Sequence, residues 1–96
     1  MSGYESELDA LRQRIDAIDV QVLALLNARA TVVSDIYVLK ERHGAPRFNR
    51  ARTDSILERL VSVNQGPLKP REVRELFAPL LTFFVARFRA GTDASG

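Results

Sequence analysis

The 96-residue chain contains no cysteine. That excludes a disulfide framework, a thiol nucleophile and a cysteine-based zinc site. One histidine, His43, leaves no imidazole pair for a metal or a proton relay. Neither a metal nor a cofactor is expected. Tryptophan is absent and lysine is scarce, with two lysines beside twelve arginines and a formal net charge of +2. No apolar run approaches the roughly 18 residues that cross a bilayer. The opening residues, MSGYESELDA, are polar and acidic, unlike a secretory leader. A soluble, cytoplasmic protein without membrane contact is therefore expected. The chain is 46% apolar and 27% charged, the composition of a globular domain with one modest core.

Glycine and proline are also missing from residue 5 to residue 42. In that segment Leu8, Leu11, Ile15, Ile18, Val22 and Leu25 follow one another at alternating steps of three and four, a heptad stripe. Leu26, Val33, Ile36 and Leu39 extend it. The pattern predicts one helix of about 38 residues, about 57 Å long. Ser6 is the expected N-cap and Gly44 the expected stop. A compact chain of this size has a radius of gyration near 13 Å, too small to cover such a stripe alone. The expectation is a homodimer in which two long helices pair; the alternative is a monomer with a broken first helix.

Residues 44–50 (GAPRFNR) read as a loop, and a second helix is predicted from about Asn49 to Asn64. After QGPLKP a third helix starts near Pro70, a good first-turn residue. It carries Val73, Leu76, Phe77, Leu80, Leu81, Phe84, Val85 and Phe88. Pro79 lies inside it and predicts a kink. The expected fold is all-α, a three-helix chain with a long first helix. One domain covers residues 5–89, and residues 90–96 form a flexible tail.

Cations interrupt the apolar pattern. Lys40 follows Arg29 by eleven residues, about 20° off the same face of a helix. Buried cations are costly unless paired, and an anionic ligand would pair both. Alternatively, the stems lie on the core and the heads reach water. Arg12 faces about 100° away from Arg29, so it joins the same ligand only from the other chain of a dimer. Between residues 42 and 52 stand Arg42, His43, Arg47, Arg50 and Arg52 with no acid among them, which suits an anionic partner. Nucleic acid fits poorly, because the basic loop has one aromatic, Phe48, and no helix-turn-helix spacing follows. A small polyanion fits better.

These residues resemble a known pattern. Leu8, Leu11, Arg12, Ile15, Asp16, Ile18, Asp19, Val22, Leu23, Leu25, Leu26 and Arg29, then Lys40, then Arg52 in RARTDSILERL, are similar to the all-helical class of chorismate mutases. The resemblance runs from Leu8 to about Phe88. It implies an intertwined dimer of three-helix chains with two active sites and no cofactor. It implies a small dicarboxylate substrate, chorismate, rearranged to prephenate in aromatic amino acid biosynthesis, the shikimate pathway. By the same resemblance Arg29 binds one carboxylate, and Arg12 reaches the other from the partner chain. Lys40 donates to the ether oxygen and a carboxylate, and Arg52 supports the carboxylate region. Arg47 and Asn49 line the hydroxyl side of the substrate. A shikimate-pathway enzyme is a candidate partner.

The chain departs from that family at four positions. Asn49 stands where the family usually has Asp. Thr53 stands where it has the Glu that holds the ring hydroxyl. Phe84 replaces a small polar residue, and Phe88 replaces the Gln or Glu that contacts the ether oxygen. A phenyl ring donates no hydrogen bond to an oxyanion, and losing one such donor commonly costs about 10²–10³ in rate. Several readings stay open. A register shift at Pro79 brings in Arg87 as the donor. The pocket takes a chorismate relative, as in isochorismate-pyruvate lyases and aminodeoxychorismate mutases. The chain is a weak mutase, or needs a partner protein. It is a non-catalytic interaction module. Or both rings simply pack in the core.

Overall fold

The computed structural model describes residues 3–46 and 49–95, with side chains up to residue 87. Among these residues there are three helices: α1 (Gly3–Arg42), α2 (Arg50–Val63) and α3 (Pro70–Ser95). The chain divides into two compact units, Met1–Val33 and Ser34–Gly96. The first holds most of α1; the second holds its last turns with α2 and α3.

The first helix is continuous, as its lack of glycine and proline predicts, but it begins before Ser6. Tyr4 and Glu5 both tolerate a first turn, and an acid there interacts favourably with the helix dipole. Ser6 is therefore inside the helix and is not its cap. At the other end Ala45 N–H donates to the Lys40 carbonyl (2.9 Å) and Gly44 N–H to that of Glu41 (3.2 Å). This is a Schellman motif with glycine in the left-handed position, at φ 63°. The stop expected at Gly44 is realised by this reversal.

Most of the stripe on α1 is open in the single chain. Leu25 is 70% exposed, and Ile15, Ile18 and Leu11 are 57, 55 and 51% exposed. An 18-residue window of α1 reaches a mean hydropathy of 1.5, so by length and composition the helix could cross a membrane. Counting uninterrupted runs misses this, because Arg29 and Asp35 break the runs within a stretch that is apolar on average. The apolar residues nonetheless recur at heptad spacing, the signature of a helix–helix seam.

In the second unit α2 packs against α3. Ile56, Leu57, Leu60 and Val61 of α2 are half-buried. Tyr37 of α1 and Val73, Leu81 and Phe84 of α3 are buried. Asn64 shapes the connection: its side chain donates to the Leu68 carbonyl (2.6 Å) and accepts from Gly66 N–H (3.1 Å). Lys69 N–H donates to the Glu72 carboxylate (2.9 Å), half of a capping box that opens α3 just before Pro70. Arg74 pairs with Glu58 across the two helices at 2.8 Å. Both side chains are largely exposed, so the pair contributes at most about 1 kcal/mol.

Pro79 lies inside α3, as expected, on its exposed side, where the carbonyl freed at Glu75 can be solvated. The helix continues to Ser95, where a tail was expected from residue 90. No proline follows Pro79, so each later residue keeps its N–H for the ladder. Gly91 costs only about 1 kcal/mol.

Candidate active site

The loop between α1 and α2 makes the site. The Schellman reversal ends α1 at Arg42, two residues past Lys40, and Asn49 caps the start of α2. Asn49 is extended (φ −135°, ψ 103°), and its side-chain oxygen accepts from Arg52 N–H at 3.2 Å. Both ends of the loop are thus fixed by hydrogen bonds. Lys40, Ala45, Pro46, Asn49 and Arg50 line a cleft of about 410 Å³. That volume suits a small molecule. The lining holds two cations and one amide but no acid, so it suits an anion, and Arg50 offers a planar fork for a carboxylate.

Lys40 is half-buried. Its carbonyl accepts from His43 and Ala45 N–H, which pins the backbone beneath it. Its ammonium lies 5.7 Å from the centre of the Tyr37 ring, within cation–π range. Tyr37 is 8% exposed. The sequence pattern singles out neither Tyr37 nor Arg50 as a site residue. Arg50 is visible within the basic stretch. For Tyr37 the available signal is an aromatic one helical turn before the key lysine.

The other expected residues are placed as follows. Asn49 lines the cleft but also caps α2, a structural duty that the family resemblance does not give it. Arg52 is exposed on the first turn of α2 and does not line this cleft. Thr53 is half-buried, its N–H donating to the Asn49 carbonyl at 3.3 Å. Phe84 is 6% exposed and meets Phe83 edge to face, centroids 5.6 Å apart at 87°. Its burial agrees with core packing, which is compatible with a changed pocket on the same face. Arg87 is exposed in the single chain, on a helix that is continuous through Pro79.

Arg12 and Arg29 stand on α1 in the first unit. Arg12 is exposed; Arg29 is half-buried, with its Nη1 atom closed off from solvent. Arg47 and the side chain of Phe88 lie outside the described residues. Among the described residues no three His, Asp or Glu side chains converge in a way that could hold a metal ion.

Comparison with known proteins gives concordant results. Residues 11–87 match the family model for chorismate mutase type II. The bifunctional chorismate mutase/prephenate dehydratase of Pseudomonas aeruginosa is 32% identical over 87 residues, covering 85% of this chain and 24% of that protein. The bifunctional protein of the same description from Neisseria gonorrhoeae is 34% identical over 83 residues, 86% of this chain and 22% of that one. The chain therefore spans about a quarter of the length of these curated relatives. Among solved structures, a chorismate mutase from Thermus thermophilus (form I) superposes with a TM-score of 0.79 at 28% identity, covering 81% of this chain and 98% of that one. Its form II gives 0.80 at 28% identity, covering 83% and 91%.

Proposed function

The chain belongs to the type II chorismate mutase family, and from that premise we propose that it rearranges chorismate to prephenate, as a homodimer in the cytoplasm. The reaction is a pericyclic shift with no covalent intermediate and no cofactor. Catalysis consists of holding the compact chair-like conformer and stabilising charge on the ether oxygen. Arg29 binds one carboxylate, and the partner subunit's Arg12 binds the other. Lys40 donates to the ether oxygen and a carboxylate, with Arg52 behind them. Arg47 and Asn49 take the hydroxyl side.

One observation carries this reading. The family match runs over residues 11–87 and so includes Arg12, Arg29, Lys40 and Arg52. The acid-free cleft beside Lys40 supports it. The homodimer draws its support from the open stripe on α1 and from the angle between Arg12 and Arg29. Relatives that join chorismate mutase to prephenate dehydratase favour a prephenate-consuming enzyme as functional partner.

The burial of Phe84, where the family has a small polar residue, favours a second reading. In it the site takes a chorismate relative such as isochorismate or aminodeoxychorismate, or the chain is a non-catalytic module. Purified protein incubated with chorismate and, separately, with isochorismate decides between them. Prephenate from chorismate is the expected product. Pyruvate and salicylate from isochorismate would move the protein to the lyase reaction. Turnover of neither, with chorismate still bound, would leave the module.

A further inference from the structure

Tyr37 is the one buried side chain of α1 among the described residues. It precedes Lys40 by three positions, so the two share a helix face. The ammonium stands 5.7 Å from its ring centre. Lys40 lines the cleft, and Tyr37 does not. A lysine carries a compact charge on a flexible four-carbon stem and has many rotamers to lose. A buried ring has none to spare, and its π-face attracts the cation most strongly where water is excluded. We infer that Tyr37 is the positioning residue of Lys40: its fixed ring holds the ammonium at the cleft, ready to meet developing negative charge. The catalytic half of this statement rests on the mutase reading; the clamp itself does not.

Pre-positioning of a donor acts on the transition state more than on ground-state binding. Removing the ring should therefore lower kcat while KM moves little. The usual range of cation–π strengths corresponds to roughly 2- to 30-fold in rate. Tyr37→Leu is the variant that removes the ring and keeps an apolar core residue. Tyr37→Phe keeps the ring and should restore the parental kcat. Replacing residue 37 by phenylalanines with one, two and three ring fluorines weakens the quadrupole at nearly constant shape. The rate should then fall stepwise, which a merely structural ring would not produce.

A second readout is independent of turnover. The chain has two lysines, Lys40 and Lys69. Labelling lysine at Cε gives two resonances, with the exposed Lys69 as internal reference. The ring current of Tyr37 should shift the Lys40 signal upfield in the parent and in Tyr37→Phe, and the shift should vanish in Tyr37→Leu. Equal Lys40 shifts in all three proteins would overturn the clamp. So would a flat fluorine series, or a loss in Tyr37→Phe as large as in Tyr37→Leu. Should Tyr37→Leu fail to fold, the fluorine series and the parental resonance decide. A parent with the shifted resonance but no turnover would refute the mutase reading and leave the clamp standing.

Discussion

Leu25→Glu should split the proposed homodimer. Leu25 is 70% exposed in the single chain, within a seam that also exposes Leu11, Ile15 and Ile18. Full burial of a leucine contributes about 1.5–3 kcal/mol. Covering what remains open at Leu25 therefore contributes about 1–2 kcal/mol per chain and twice that per dimer. A carboxylate in the seam adds a desolvation penalty of several kcal/mol unless a cation moves to meet it. The combined loss, at least about 4 kcal/mol, raises Kd by about three powers of ten. Glutamate is the substitution of choice because its helix propensity is close to that of leucine, so the effect is not one of propensity. Sedimentation equilibrium from nanomolar to micromolar protein measures the dimer, and prephenate formation per protomer follows the same dilution series. Activity should fall with the dimer, because in the proposed site Arg12 serves the neighbouring subunit. A Leu25→Glu protein that dimerises and turns over like the parent would refute the seam. A parent that sediments as a fully active monomer would refute the shared site.

Lys40→Ala should reduce chorismate turnover by about 10²–10³ with the dimer intact on sedimentation, the usual consequence of losing one transition-state donor. Phe88→Gln should raise kcat several-fold if residue 88 occupies the family's ether-oxygen position; steady-state assays of prephenate check this. Phe84→Ser should lower stability by about 3 kcal/mol or more in urea denaturation, because it empties a buried ring site. Unchanged stability would deny Phe84 its core role. Asn49→Ala should cost about 1 kcal/mol through loss of the α2 cap, and Asn49→Asp should restore the melting temperature, since both Asn and Asp cap well.

The helical skeleton is legible in the sequence because its punctuation is chemical. Gly44 lies in the left-handed region only glycine adopts cheaply, Asn49 caps, and Pro70 opens α3 behind the Lys69–Glu72 bond. Each is a local event that one residue type decides. The misreadings lie where nothing local decides. Ser6 is a good cap, yet Tyr4 and Glu5 pose no obstacle to an earlier start. The stretch from Ala90 to Ser95 has weak helix formers but no proline to stop the ladder.

The family is legible in the charges of the sequence, whereas the supports of the proposed site are not. Twelve arginines and two lysines make each lysine conspicuous, and the spacing from Arg12 to Arg52 marks the family. Spacing does not reveal which groups hold those charges in place. Asn49 reads as a substrate-facing residue, yet its side-chain oxygen is engaged in starting α2. Tyr37 reads as one more aromatic in a helix, yet it lies beneath the Lys40 ammonium. Phe84 reads as a pocket residue or a core ring, and it is buried with Phe83 edge to face against it. These cases share one cause. A charge in a motif has a role fixed by the ligand's chemistry, whereas a support has a role fixed by what it touches. The loop between α1 and α2 joins the two kinds of residue. The Schellman reversal pins the Lys40 carbonyl, the Asn49 cap sets the first turn of α2, and Lys40, Asn49 and Arg50 all line the cleft. Substitutions at the caps and at Tyr37 should therefore change catalysis by moving Lys40, while substitutions of Lys40 itself remove the donor.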